Sequence, residues 1–449
     1  MTQNHPPHSL RESVCFYNVH YKYIPMSGAL VELVSKGAQD VYLTTSEGMS
    51  FFNLKYQRHT NFSQAPKLIK EISTEDVSII VPVWGDLLNA MWFEGTNLLN
   101  SFFGAKFSLY IGGQKVDSYD FDYSSDIWQN YMADTYTKSQ EINNKCSTTN
   151  PNFLSLHYFF GDNQSFIPLV ALQFHQVEIK IDFAPGASAQ NIRCYGNYIY
   201  LDAEERRRFT SKKMDIIITQ CQQIKKTLDC DDTEFYEERA TEAQNEYNEA
   251  NKLLQALQTA TPPNPTAINA QQLVVDEKLD AYNSAQSAST SYVTSTNGYN
   301  DIDLSQFNHP VKSLFFGYTT KQAIVEKDYL TFKTADIQIN GTPLLENMSP
   351  LYFHIVQNYN HTKFGIIQYD EDKDCPFYTR YFAYNFCLDA SSYKPTGTCN
   401  FSRLDNAKLI LRNVKKGYER AETEELIIYA VNYNILRIDK GMAGVLFAN

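Results

Sequence analysis

Between residues 177 and 183 the side chains alternate in character. Val177, Ile179, Ile181 and Phe183 are apolar, and Glu178, Lys180 and Asp182 are charged. Period two over this length describes a strand with one face buried and the other in water. Short apolar runs that also read as strands recur along the chain. Leu30-Val31-Glu32-Leu33-Val34 ends at Lys36-Gly37, and Val41-Tyr42-Leu43-Thr44 and Phe51 to Tyr56 follow it. Short strands separated by turn residues continue to Tyr200. A second series opens at Ile216-Ile217-Ile218, resumes from Asp303-Leu304 to Phe316, and closes with Leu426 to Val431 and Tyr433 to Ile438. With 31 Tyr, 28 Phe and abundant Val, Ile and Thr, the composition favours strands over helices. Many short strands at turn-bounded spacing predict all-β sandwiches or barrels.

Two stretches break the strand pattern. Leu201 to Phe209 reads as a short helix, with Glu204 and Glu205 first and Arg206, Arg207 and Arg208 last, which suits the helix dipole. The arginine triplet could hold a phosphate, but glutamates one turn away favour an ion-paired, solvated helix. This helix marks the expected boundary between an arm plus first unit (1–27, then 28–212) and a second unit (213–449). No sequence repeat relates the two. The second break covers 230–300. Tyr236, Ala240, Ala243, Tyr247, Ala250, Leu254 and Leu257 recur at alternating spacings of four and three, the seam of a helical pair. Pro262-Pro263-Asn264-Pro265 interrupts it. Ile268, Gln272, Val275, Leu279, Tyr282 and Gln286 then continue the spacing more weakly. The expectation is a helical hairpin, with Ser287 to Asn297 as a flexible return.

Other features narrow the function. With 39 basic and 51 acidic residues the net charge is −12, which disfavours coating nucleic acid. No apolar run is long enough to span a membrane, and the first residues lack the pattern of a secretory leader. Eight dispersed cysteines (15, 146, 194, 221, 230, 375, 387 and 399) contain no CxxC pair, so buried reduced thiols are expected rather than a zinc ribbon or a disulfide framework. Phosphate-loop, GxSxG and HExxH motifs are absent. The histidines are scattered, and His157 and His175, in strand-like segments, read as packed side chains. Asp370, Asp372 and Asp374 have a calcium-loop spacing, but Cys375 stands where the turn glycine belongs and Tyr381 where the final glutamate belongs. Six Asn-X-Ser/Thr sequons, at Asn61, Asn163, Asn340, Asn347, Asn360 and Asn400, are expected by chance in such a chain.

Specific strings then point to a family. Ile24 to Leu30, Lys36 to Thr44, Phe51 to Phe62, Ile111-Gly112-Gly113-Gln114-Lys115-Val116-Asp117, and Pro168-Leu169-Val170-Ala171-Leu172-Gln173-Phe174-His175 occur in order. Tyr200 to Phe209, Phe307-Asn308-His309-Pro310-Val311-Lys312, Pro395 to Ala407, and Tyr433 to Ile438 with Gly441-Met442-Ala443-Gly444 follow. Together they resemble the major capsid proteins of nucleocytoplasmic large DNA viruses, of the phycodnavirus and iridovirus type.

The resemblance implies a double jelly roll, two tandem eight-stranded β-sandwiches in one chain. It implies no enzyme activity and no cofactor. It further implies homotrimers of pseudo-hexagonal outline that tile an icosahedral shell and meet neighbouring trimers, minor capsid proteins and penton proteins. Inner-membrane proximity is expected, direct nucleic-acid contact is not, and the setting is the virion, assembled in the host cytoplasm. The helical hairpin at 230–300 departs from the family pattern and is expected either as an outward tower or as a lateral filler. No catalytic, cofactor-binding or metal residues are assigned. The competing reading is a β-sandwich carbohydrate-binding protein with Trp84, Trp92 and Trp128 as sugar platforms, although aromatics in sandwiches are more often core. A cupin-type enzyme would need clustered histidines that the sequence lacks.

Overall fold

The computed structural model describes residues 59–73, 78–139, 152–161, 165–187, 191–231, 233–260, 264–291, 298–318, 330, 332–363, 381–415 and 425–447. The arm, the strands expected between Leu30 and Tyr56, and the Asp370-Asp372-Asp374 spacing lie outside these residues. The elements below belong to one compact unit, Thr60–Asn449.

Eight strands come first. They are β1 (Phe62–Ile72), β2 (Ser78–Ile80), β3 (Leu87–Gly95), β4 (Lys106–Ile111), β5 (Gln114–Asp120), β6 (Asn152–Ser155), β7 (Val177–Asp182) and β8 (Ile192–Leu201). They form two antiparallel sheets, ordered β1-β8-β3-β6 and β2-β7-β4-β5. Consecutive strands mostly alternate between the sheets, which is jelly-roll winding, and the inner faces bury each other. In β7, Val177, Ile179 and Ile181 are buried, while Glu178, Lys180 and Asp182 are half-buried or exposed, as period two requires. Inside, Phe93, Phe102 and Phe107 pack with ring centres 5.0 to 6.2 Å apart.

A capped helix leads out of this sandwich. In α1 (Ala203–Ser211), Asp202 accepts a hydrogen bond from the Ala203 N–H at 2.6 Å. Arg206 does not pair with the nearby glutamates. Its Nε and Nη2 clamp the Asp86 carboxylate at 2.8 and 2.9 Å. Asp86 Oδ2 also accepts from the Leu201 N–H at 2.8 Å, so this helix is tied to the start of β3.

The second series comprises β9 (Met214–Thr227), β10 (Asn300–Asp303), β11 (Pro310–Tyr318), β12 (Thr334–Ile339), β13 (Thr342–Met348), β14 (Tyr381–Asn385), β15 (Cys399–Asn400), β16 (Ala407–Arg412), β17 (Glu425–Asp439) and β18 (Met442–Val445). Setting aside the short β15 and β18, the pairings give β9-β17-β11-β14 and β10-β16-β12-β13. First-eighth-third-sixth and second-seventh-fourth-fifth is the order of the first sandwich repeated, so the chain is a double jelly roll. The run from Asp303 to Phe316 is two strands rather than one, because the chain turns at Leu304–His309, where His309 has a φ of 68°. Conversely, Leu426 to Ile438 is a single strand.

The central strands β17 and β11 of the sheet β9-β17-β11-β14 are buried on both faces. Along β17, Leu426, Ile428 and Ala430 point into the second sandwich. Ile427, Tyr429 and Val431 point the other way and join the core of the first sandwich. In β11, Leu314 and Phe316 face one side and Phe315 the other. A strand buried on both faces reads as a continuous apolar run, which is what residues 426–431 are.

Between β9 and β10 stands the helical pair, α2 (Thr233–Thr259) and α3 (Pro265–Ser291). Ala250, Leu254 and Val275 form its buried seam, with Tyr247 and Ile268 packed on it. The rings of Tyr247 and Tyr282 stack at 6.4 Å. Asn264 caps α3 by accepting from the Thr266 and Ala267 N–H groups at 3.2 and 3.3 Å, and Pro265 occupies the first turn, where it costs no hydrogen bond. The neck is pinned: Asn300 Oδ1 accepts from the Asp229 N–H and its Nδ2 donates to the Asp229 carbonyl, both at 2.8 Å. The expected flexible return begins later than Ser287. Hydroxyls of Ser287 and Thr290 bond to carbonyls one turn back, at 2.8 and 2.9 Å, so these residues remain helical.

Candidate functional site

The polar and aromatic features of the described residues gather along the seam between the sandwiches. After β5 the chain enters a π-helical turn, Tyr123–Met132, which buries Tyr123, Ile127 and Tyr131. Tyr123 packs on Tyr429 with ring centres 5.8 Å apart, and Tyr131 on Phe315 at 5.5 Å. The Tyr131 hydroxyl bonds the Tyr381 carbonyl, and Gln220 Nε2 donates to the Val116 carbonyl.

Two carboxylates sit within this contact. Asp117 Oδ1 accepts from the N–H groups of Ser118 and Cys221, each at 2.8 Å. Burial nevertheless dominates and pushes its carboxyl up to about 7. Asp120 Oδ1 accepts from the Tyr429 hydroxyl at 2.5 Å and from the Tyr123 N–H at 3.2 Å, and burial raises its carboxyl too. His354, 3.3 Å from the Tyr131 hydroxyl, is pushed down to about 4 by burial.

The distinctive strings of the sequence converge in space. Gly112 and Gly113 form the two-residue turn between β4 and β5, with φ of 59° and 80°, the geometry of a type I′ hairpin. A Cβ on Gly112 would collide with the imidazole of His175. His175 Nδ1 lies 3.0 Å from the Ala443 N–H, Gln114 Oε1 accepts from the Val445 N–H at 3.2 Å, and the Phe174 N–H donates to the Gly441 carbonyl at 3.0 Å. Three strings far apart in the chain thus meet at one corner of the seam. Two more meet elsewhere: His309 N–H donates to Ser402 Oγ at 2.7 Å, and Phe307 packs on Phe401 at 6.2 Å. These residues fasten turns and join sandwiches.

The other features single out no reaction centre. His157 and His175 lie in connections, not in strands. The three tryptophans are not one platform: Trp84 packs on Tyr198, Trp92 on Tyr195, and Trp128 on His157. Among the described residues, no cluster of three or more His, Cys, Asp or Glu could hold a metal ion. Cys194, Cys221, Cys387 and Cys399 are free thiols. The sequon residues Asn340 and Asn347 have left-handed backbones, and Asn340 Oδ1 accepts from the N–H groups of Asp405 and Asn406, as a turn residue does.

One open surface was not foreseen from the sequence. On the outer face of β1-β8-β3-β6, Leu68 and Trp92 both stand opposite Tyr195 in the strand register. Trp92 stacks on Tyr195 at 5.7 Å and touches Phe153 at 6.3 Å. Leu68 is 42% exposed and Phe153 39%. The row crosses all four strands, flanked by the Glu94–Arg193 ion pair.

Comparison with known proteins decides what this architecture serves. A family described as large eukaryotic DNA virus major capsid protein matches residues 205–444, and one described as major capsid protein N-terminus matches 50–202. The chain belongs to this capsid protein family. The major capsid protein of Pyramimonas orientalis virus is 27% identical over 473 aligned residues, covering 94% of this chain and all of that protein. The major capsid protein of Paramecium bursaria Chlorella virus 1 is likewise 27% identical, with 94% and 100% covered. The solved structure of PBCV-1 VP54, fitted into a reconstruction of the virophage Sputnik, superposes with a TM-score of 0.63 at 20% identity, over 89% of this chain and all of that one. The Faustovirus major capsid protein gives 0.55 at 10% identity, over 90% and 95%. As a major capsid protein of a large DNA virus, the chain is a structural component of the virion shell. Shell building implies that copies of this capsid protein associate.

Proposed function

We propose that three copies of this capsid protein close into a pseudo-hexagonal ring by repeating, between chains, the contact that joins the two sandwiches within one chain. The observation that carries this is the shared pattern of used and unused surfaces. Inside the chain, the outer face of β9-β17-β11-β14 receives β5 and the π-helical turn of the first sandwich. The first sandwich has the corresponding outer face, β1-β8-β3-β6, where the apolar row of half-buried Trp92 and Tyr195 with exposed Phe153 and Leu68 has no sandwich packed on it among the described residues. The second sandwich has the corresponding donor: β13 is largely exposed and is soon followed by a π-helical turn, Tyr352–Val356. Leu344, Leu351 and Tyr359 around it are 46%, 55% and 86% exposed. A head-to-tail contact of this kind closes into a ring when its rotation permits. Two sandwiches per chain make six positions from three chains, the capsomer the resemblance implies.

Light scattering on the purified chain tests this. The expected mass is three times 51.5 kDa. Trp92→Glu on the face and Tyr359→Asp on the donor should each yield folded monomer. A monomeric wild type, or trimers unaffected by both substitutions, would overturn the assigned contact.

The helical pair is part of the same reading. Connections after odd-numbered strands of a jelly roll share one end of the sandwich, and the pair lies in the first of these. Its exposed surface is acidic, with Glu237, Glu238, Glu242, Glu246 and Glu249 on α2. It serves as a tower projecting from the capsomer toward the host or a neighbouring trimer. Deleting 232–296 should leave trimers and shells intact while attachment is lost; loss of the trimer would make it a lateral filler instead. Contacts with minor capsid and penton proteins, and an inner face near a membrane, complete the proposal.

A further inference from the structure

A small open cleft, about 70 Å³ in volume, lies on the seam, walled by Trp128, Asp134, Lys138 and Tyr158 from the first sandwich and by Lys312 and Ser392 from the second, among others. Lys312 is only 2% exposed. Its ammonium donates to the Ser392 carbonyl at 2.8 Å and lies 5.9 Å from the centre of the Tyr433 ring. Among the described residues no carboxylate forms an ion pair with it. The nearby acids are engaged elsewhere. Asp389 pairs with Lys363 at 3.1 Å and accepts from the N–H groups of Ser391 and Ser392 at 2.9 and 3.2 Å. Asp134 pairs with Lys138 at 2.7 Å. Tyr158 adds a buried hydroxyl that has no hydrogen-bond partner. Trp128 supplies a flat wall held by stacking on His157 at 3.8 Å.

A buried ammonium without an ion-pair partner is costly, and so is a buried hydroxyl lacking a partner. One ligand oxyanion could satisfy both. We propose that this cleft binds a small organic monocarboxylate, with its carboxylate on the Lys312 ammonium and the Tyr158 hydroxyl and its organic part against Trp128. A single unpaired positive charge matches a single negative one. A phosphate, nearly doubly charged at neutral pH, would leave excess charge facing Asp134 and Asp389. Burial pulls Lys312 down to about 8, with Cys387 and Asp389 opposing, so it is charged at neutral pH.

Calorimetric titration of the assembled protein with benzoate, acetate and inorganic phosphate at pH 6.5 tests the assignment. Benzoate should saturate at one per chain, more tightly than phosphate. Affinity should fall about tenfold or more in Lys312→Met, the cost of losing a charge-assisted hydrogen bond, and less in Tyr158→Phe. No saturable benzoate binding, unchanged affinity in Lys312→Met, or tighter binding of phosphate would each overturn it. If Lys312→Met does not fold, amine acetylation of the wild type at pH 8, read by mass spectrometry, replaces it. Benzoate should then protect Lys312 and spare the labelling of exposed Lys333; equal labelling of Lys312 with and without benzoate would overturn the proposal.

Discussion

Asp117 shows how a single residue tunes the seam. Its carboxyl is raised to about 7, above the ordinary carboxylate value, so the folded chain holds this proton more tightly than the unfolded chain does. Stability from this group is therefore fully present at low pH and is lost as pH rises through about 4 to about 7. Asp117→Asn should remove that loss, worth on the order of 4 kcal/mol at the upper end of the window. Melting temperatures across this range should fall less steeply in the variant than in wild type, with a remainder from Asp120, whose carboxyl is raised in the same direction. An unchanged slope would mean that Asp117 is solvated. Tyr429→Phe removes the hydroxyl donated to Asp120 and should cost about 1–3 kcal/mol, read as a lower melting temperature. None of this was legible in the sequence. Asp117 was visible only as the last letter of a family string, and its partner Cys221 is a hundred residues away. The Asp86–Arg206 clamp was hidden in the same way, which is why the glutamates one turn away were the wrong partners for Arg206.

Among the elements, the most legible were those whose periodicity follows from local geometry. The alternation in β7 and the spacing of four and three in α2 need no tertiary knowledge. The seam of the helical pair is nonetheless small, resting on Ala250, Leu254 and Val275. Leu254→Asp should destabilise the pair by about 2 kcal/mol or more, because one deleted core side chain is a large share of so small a core. Far-UV circular dichroism should lose helical signal while the mass of the capsomer is unchanged. Loss of both would mean that the pair supports the sandwiches. The two-sided burial of β17 was half legible: its apolar run announced a buried strand, but not that odd and even residues serve different cores. The open row of Trp92, Phe153 and Tyr195 was not legible, because alternation identifies an outer face without telling how much of it water covers.

In the molecule as a whole, the core of the first sandwich contains Phe315, Ile427, Tyr429 and Val431 of the second, so the two form one cooperative body. Calorimetry should show a single unfolding transition for the β-sandwiches; two resolved transitions would contradict the shared sheet. The same arrangement governs how the chain is made. β17 pairs with β9 along one edge and with β11 and β18 along the other, yet it is translated after every other strand but β18. Until it emerges from the ribosome, β9 and β11 have no strand between them, and the seam face of the first sandwich has nothing to close against. A nascent chain that exposes so much apolar surface until β17 is made is a natural client for a chaperone. Chains truncated before Glu425 should accordingly aggregate, even though every strand of the first sandwich is present.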